Sequence, residues 1–428
     1  MSIAVGGNAG EVSAPAWSLR RIVTAGVIGN VLEWYDFAVY GFFAPILAAQ
    51  FFPGDDPVAK LLAAFATFAV GFLMRPVGAV LFGHIGDRYG RARALILSIA
   101  MMAVPTVIMG LLPTFAQIGI AASFLLVILR MFQGMAVGGE FTSSIVFLAE
   151  HAPQKRRGFV SSFAMFGATF GTMLGSAVGG ALSSLLSPED LASWGWRAAF
   201  ISGIAVAVVG VVLRRNMLDG PANPPAPSPL RLAFRDHKRA VARVFALNVG
   251  TATTYYTLFV YAATWVAQKT PVGQAAALRI TTFTILTFLV VLPIAAWVSD
   301  RVGRKLVMGI GMTGCILLAY PLASAMHGTV PLGIAAAQMT FGALLALSMA
   351  PQPAAMCEMF PRGVRVSAVS VGYGLAYALF GGTAPLVAVW LIARTGNDIV
   401  FAWYIAGAMV LSLLVALTVR DRRSEQLT

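Results

Sequence analysis

Five ionisable side chains stand in stretches that are otherwise apolar: Glu33, Asp36, Arg75, Arg130 and Glu140. Each would cost roughly 2.5–3.5 kcal/mol at the centre of a helix in hydrocarbon, so such residues pair with one another or line a wet interior. Spacing shows which faces they share. At about 100° per residue, Asn30, Glu33, Asp36 and Tyr40 fall within an arc of about 120° on one helix. Arg130, Gln133, Val137, Glu140 and Ser144 fall within about 80° on another. Both stripes can face one shared interior. Three acids against two arginines leave one carboxylate in excess, and an excess carboxylate in low dielectric takes up a proton. Once an acid is protonated, its arginine is released to hold the carboxylate of a ligand. When the ligand leaves, acid and arginine re-pair and the proton goes. The alternative is a buried ion-pair network that only locks helices together. For Arg75 a simpler role is open as well, since Pro76 frees a backbone carbonyl that the guanidinium could bond.

The elements that must position these groups are membrane helices. Hydrophobic residues make up 58% of the 428 and charged residues 11%, against about 45–50% and about a quarter in soluble domains. Runs long enough to cross about 30 Å of hydrocarbon fall near 22–50, 60–83, 94–112, 118–149, 158–186 and 196–214. A second six fall near 241–268, 273–298, 305–326, 330–357, 366–393 and 398–419. The expected architecture is an all-α membrane protein of twelve transmembrane helices in two six-helix halves. A tail (1–20) read as disordered precedes the first half (21–214). A Pro- and Arg-rich linker (215–240) leads to the second half (241–419) and a short tail (420–428). The net charge of +13 does not point to nucleic acid, because the basic residues sit in short clusters between apolar runs. Twenty-three of the 30 Lys and Arg lie on one set of loops and five on the other, so both termini and the linker are expected in the cytoplasm of a bacterial inner-membrane protein.

The two halves repeat. Gly86-Asp87-Arg88-Tyr89-Gly90-Arg91 is matched 213 residues later by Ser299-Asp300-Arg301-Val302-Gly303-Arg304. Glu150-His151-Ala152-Pro153 is matched by Glu358-Met359-Phe360-Pro361. Acid–base sets at helix ends can clamp one side of the membrane, so Asp87, Arg88, Arg91, Glu150, Asp300, Arg301, Arg304 and Glu358 form a candidate cytoplasmic gate. The plainer reading is that these arginines only fix topology. Glycines 167, 171, 175 and 179 form a stripe on the fifth span that permits close helix approach, read as an intramolecular surface in a monomer.

The second half carries no charge in mid-span and offers hydrogen-bonding and aromatic groups instead, among them Asn248, Thr251, Tyr255, Gln338, Tyr373 and Tyr377. Proton chemistry therefore belongs to Asp36, Glu33 and Glu140. A small-molecule ligand would meet Arg130, Arg75, Asn30, Tyr40 and Gln133 from one half and Tyr255, Tyr373 and Tyr377 from the other. Cys315 and Cys357 give no metal spacing, and no nucleophile triad or phosphate loop is present. No cofactor beyond the coupling proton is expected.

These motifs resemble the major facilitator superfamily and, within it, the metabolite:proton symporter family, whose members carry α-ketoglutarate, citrate, shikimate and proline or betaine. The resemblance rests on Gly29-Asn30, Glu33-Trp34-Tyr35-Asp36-Phe37 and Tyr40-Gly41, and on Phe72-Leu73-Met74-Arg75-Pro76-Val77-Gly78. It also rests on Gln133-Gly134, Gly138-Gly139-Glu140, Trp194-Gly195-Trp196-Arg197 and the Asp-Arg-x-Gly-Arg loops. Ala92 and Ala296 depart from the superfamily pattern. The resemblance implies alternating access, with Asp36 and Arg130 at the positions where sugar-porter relatives couple protons. Proton symport of a small organic acid is the first expectation, helped by Thr251–Tyr256, which looks like the organic-acid members. Symport of a zwitterion such as proline or betaine is the second, and a membrane receptor that does not translocate is the third. The chain runs nine residues past the last span without heptads, which argues against an osmosensing coiled coil but not against zwitterion transport.

Overall fold

The computed structural model describes residues 19–427 apart from 90, 139, 206–207 and 209–234. Most of the expected 215–240 linker and the tail before residue 19 lie outside the described residues. In hydrocarbon every backbone N–H and C=O must be satisfied within the protein, which leaves helices for a chain of this composition. The helices are α1 (Leu19–Phe42, running on as Ala44–Phe51), α2 (Pro57–Phe82), α3 (Arg91–Leu111), α4 (Ile120–His151), α5 (Gln154–Leu185) and α6 (Trp196–Ile201). After the undescribed stretch come α7 (Lys238–Tyr256), α8 (Gln274–Val302), α9 (Arg304–Met326), α10 (Pro331–Cys357), α11 (Arg365–Thr395) and α12 (Phe401–Thr418). The continuous described part of α6 ends at residue 205.

Eight of these are long and apolar enough by themselves to cross a membrane. α7 is not among them, because its polar residues lower its hydropathy. α1 carries Glu33 and Asp36, and α7 carries Asn248, Thr251, Thr253 and Thr254, all of them buried. Polarity points inward, while Leu317 on α9, Leu332 on α10 and Trp403 on α12 are exposed. A helix that lines the interior loses hydropathy for the same reason that it can carry a site.

Helices of the two halves meet along three seams: α5 on α8, α2 on α11, and α4 on α10 and α11. Ser176 Oγ on α5 donates to the Leu278 carbonyl of α8 at 3.0 Å. Within the first half, the glycine stripe of α5 seats α1. A methyl group at Gly171 would lie 2.2 Å from the Val31 carbonyl oxygen, and one at Gly167 would lie 2.6 Å from that of Val27. The stripe is an intramolecular packing surface. Gly171→Ala is expected to destabilise the protein by on the order of 3 kcal/mol, because the obstacle is backbone and cannot rotate away. A thermal midpoint in detergent equal to that of the unchanged protein would remove the close-packing argument.

α2 breaks at Met74, between segments ending at Leu73 and starting at Arg75. Pro76 has no N–H to donate. Arg75, at the break, reaches the Trp34 and Phe37 rings of α1.

Candidate functional site

α1 carries Asp36 into the first half, where its carboxylate meets α3 and α6. Thr106 Oγ on α3 donates to Asp36 Oδ2 at 2.8 Å. A methyl group at Gly203 of α6 would lie 3.0 Å from Asp36 Oδ1. Gln133 Nε2 on α4 donates to Thr106 Oγ at 2.6 Å, and Gln133 Oε1 accepts from Arg130 Nη1 at 2.9 Å. Asp36 and Arg130 are therefore not a direct ion pair, as the stripes suggested. They are the two ends of a chain of hydrogen bonds through Gln133 and Thr106. Thr106, which sequence reasoning missed, has a second acceptor in the Met102 carbonyl at 2.8 Å. One hydroxyl proton serves one acceptor at a time. Arg130 is fully buried and lies over the rings of Tyr40 at 4.3 Å and Phe37 at 4.5 Å.

Several expected ligand groups already have protein partners. Asn30 Nδ2 donates to Ser144 Oγ at 2.9 Å and to the Ala164 carbonyl at 3.3 Å, tying α1 to α4 and α5. Tyr40 Oη donates to the Ala64 carbonyl at 3.0 Å. Tyr255 Oη lies 3.1 Å from Thr172 Oγ, across the halves. Glu33 is buried and Glu140 half-buried.

The centre is aromatic. Trp34 stacks on Tyr256 with ring centroids 6.1 Å apart, and Phe72 meets Tyr256 edge-on at 5.0 Å. Phe141 meets Tyr373 at 5.0 Å, and Tyr373 stacks on Tyr377 at 4.0 Å. Arg75 enters this wall, its guanidinium 4.0 Å from the Phe72 ring, 4.9 Å from Phe37 and 5.3 Å from Trp34. Its Nε and Nη2 are buried without a hydrogen-bond partner, so the freed-carbonyl role suggested by Pro76 is not the one it plays. Trp34, Phe72 and Tyr256 stand in motifs that carried the resemblance but were not read as ligand groups, because one aromatic residue among 28 Phe and eight Trp carries no signal of its own. Two π-helical turns, Thr257–Tyr261 and Tyr377–Gly381, adjoin this wall. Such turns occur often at functional sites.

On the side that carries the basic loops, the halves are locked by charge. Asp300 accepts the backbone N–H of Gly158 at 2.8 Å and of Phe159 at 2.9 Å at the start of α5, and pairs with Arg304 at 2.6 Å. Glu358 pairs with Arg157 at 2.9 Å and Arg304 at 3.3 Å. Glu150 pairs with Arg365, and more loosely with Arg362 at 3.9 Å. Arg157 and Arg365, which the sequence offered only as topology markers, are thus central members. Each stands four residues after the proline of the Glu-x-x-Pro repeat, which is the signal that could have found them. Arg301, expected in the gate, lies instead over the Trp297 ring at 3.3 Å. Arg88 is exposed, and the side chains of Asp87 and Arg91 lie outside the described residues. The C-terminal tail crosses the lock. Arg157 Nη2 donates to the Glu425 carbonyl at 2.9 Å, Gln154 Nε2 to that of Ser424 at 2.5 Å, and Arg422 Nη1 to that of Glu358 at 3.2 Å.

Comparison with known proteins agrees with this architecture. The model of the Major Facilitator Superfamily matches residues 26–273, and that of Sugar (and other) transporters matches 228–421. The glycine betaine/proline/ectoine/pipecolic acid transporter OusA of Dickeya dadantii is 33% identical over 429 residues, with 96% of this chain and 85% of that protein covered. The proline/betaine transporter of Escherichia coli is 31% identical over 425 residues, with 96% and 85% covered. The inner membrane metabolite transport protein YhjE of the same organism is 32% identical over 426 residues, with 96% and 97% covered. The structure of the proton:xylose symporter XylE bound to 6-bromo-6-deoxy-D-glucose superposes with a TM-score of 0.76 at 18% identity, covering 96% of this chain and 97% of that one. The chain belongs to the major facilitator superfamily, as a twelve-helix membrane transporter and not an enzyme.

Proposed function

We propose that this protein takes up a small zwitterionic solute of the proline or betaine kind by proton symport. It does so as a monomer in the bacterial inner membrane, with both termini and the 215–240 linker in the cytoplasm. Two six-helix halves, 21–214 and 241–419, rock about a site between them. The observation that carries this reading is the central wall, where an arginine and a set of aromatic faces and hydroxyls are buried together. The named relatives favour the same substrate class over the organic acids that were the first expectation.

Asp36 is the proton carrier, with Glu33 and Glu140 as the alternatives. Ionised Asp36 accepts the Thr106 hydroxyl. Protonated Asp36 no longer demands it, and Thr106 can turn to Met102. Gln133 and Arg130 feel that turn through the chain of hydrogen bonds. The basic loops form the cytoplasmic gate, closed in this structure. A thermal-shift screen of purified protein tests the substrate class, because a ligand of the native state raises apparent stability. Glycine betaine, proline or ectoine at about 100 times its Kd is expected to add about 2.7 kcal/mol. Stabilisation by di- or tricarboxylates alone would return the assignment to the organic acids.

A further inference from the structure

The unpaired guanidinium in the aromatic wall is the feature that needs explaining. Arg75 is 7% exposed and two of its nitrogens have no partner. A buried cation normally recruits acceptors. Here it is held by ring faces, closest to Phe72 and flanked by Phe37 and Trp34. Tyr256, Tyr373 and Tyr377 stand around it, each at most 2% exposed, with hydroxyls that find no partner outside their own group. The indole Nε1 of Trp34 is also buried without an acceptor. Arg130, by contrast, is engaged with Gln133 and through it with Thr106 and Asp36.

We infer that Arg75 is a stand-in cation: it occupies the aromatic cage of Trp34, Phe37 and Phe72, backed by Tyr256, until a substrate's methylated ammonium replaces it, and then binds that substrate's carboxylate. This rests on the zwitterion reading and assigns its two ends. The ring faces attract any desolvated cation, so the same surface serves the guanidinium in the free protein and the ammonium in the complex. Displaced from the rings, the guanidinium presents its fork to a carboxylate, a geometry that favours Arg over Lys. The exchange explains selection at both ends. A cation without a carboxylate must evict Arg75 and leave it unpaired in the interior. A carboxylate without a cation draws Arg75 away and leaves the ring faces without a charge. Only a zwitterion satisfies both. The cage has room to rearrange because π-helical turns adjoin Tyr256 and begin at Tyr377, and Gly382 lets Phe72 lie against α11. A methyl group there would sit 2.5 Å from the Phe72 ring. The roles of the two arginines then separate: Arg75 meets the substrate, and Arg130 reports the protonation of Asp36.

Binding of glycine betaine and of choline, measured by titration calorimetry on purified protein in nanodiscs, tests this. The unchanged protein is expected to bind glycine betaine and to bind choline at least 50-fold more weakly. Arg75→Gln is expected to weaken glycine betaine by about 100-fold, the scale of a lost charge-assisted fork. It is also expected to tighten choline by about 10-fold, since the competing cation is gone. A merely structural role predicts loss for both ligands and gain for neither. Tyr256→Leu should weaken both. If Arg75→Gln does not yield monodisperse protein, Arg75→Lys serves. It should weaken glycine betaine by about 10-fold and still exclude choline, because a point charge stays in the cage without a fork. Glycine betaine affinity within threefold of the unchanged protein in either variant would overturn the inference, as would choline no tighter in Arg75→Gln. If the unchanged protein binds no zwitterion at all, it is the substrate reading that falls.

Discussion

Asp36→Asn is expected to exchange substrate across a membrane at close to the normal rate and to accumulate none. A zwitterion carries no net charge, so each proton moved with it brings one charge down the membrane potential. At 100 mV that is worth about 2.3 kcal/mol, or roughly 50-fold accumulation. Asn keeps the shape of Asp36 and an acceptor for Thr106, but it is fixed in the neutral form. The variant therefore has the hydrogen-bond chain of the protonated carrier at every stage of the cycle. Proteoliposomes with an imposed gradient separate the outcomes, with net uptake and counterflow measured side by side. Accumulation should fall to about onefold while counterflow stays within a factor of about three, and substrate should no longer draw protons inward. If Asp36→Asn accumulates normally, the carrier is Glu33 or Glu140, and the Gln variant of that residue should show the uncoupled pattern instead.

Glu358→Gln is expected to open the basic side. Glu358 is 6% exposed and holds Arg157 from the first half and Arg304 from the second. Removing one partner of a buried pair leaves the others uncompensated, at a cost of about 3–5 kcal/mol. That cost falls on the closed arrangement alone, because the cluster is dry only while the halves meet. A shift of about 3 kcal/mol changes the ratio of closed to open states by more than 100-fold. A cysteine placed at Ser161, fully buried on α5, should become reactive to a water-soluble maleimide in everted vesicles. Net uptake should fall by at least tenfold, while substrate affinity in detergent changes little. Unaltered labelling and uptake would reduce the cluster to a topology signal.

Much of this was legible in the chain because hydrocarbon is an unforgiving solvent. Twelve apolar runs, the loop repeats and the five misplaced charges could be read directly, since each violates or satisfies a rule with a cost of several kcal/mol. Partnership was less legible. Spacing put Asp36 and Arg130 on facing stripes, but it could not show that Thr106, on a third helix, stands between them. A threonine is unremarkable in an apolar run, and only contact reveals its role. The same holds for the cage. Sequence offered Tyr373 and Tyr377 as ligand groups but gave Trp34, Phe72 and Tyr256 only as parts of motifs, because aromatic side chains are equally at home in lipid. Arg157 and Arg365 were counted for their charge when their place in the repeat already marked them as partners. The zwitterion stood second among the expectations for a related reason: a buried arginine suggests an anion, and only the rings around it suggest the other half of a ligand.

The lock has one more property, which concerns ancestry. Glu150 meets Arg365 and Glu358 meets Arg157. In each half the glutamate and the arginine are seven residues apart in the segment Glu-x-x-Pro-x-x-x-Arg. Residue i of one half meets residue j of the other, and j meets i, which is the signature of an isologous dimer. A single six-helix ancestor with that segment would have held both sides of the latch and closed on a copy of itself. Fusion of two copies would preserve the contact and release each copy from having to match the other. The drift is visible at one position: Glu150 also meets Arg362, where the first half carries Gln154. A charge-reversed pair, Glu150→Arg with Arg365→Glu, can now be made without altering the Glu358–Arg157 contact. In the ancestor it could not have been made without reversing both latches at once.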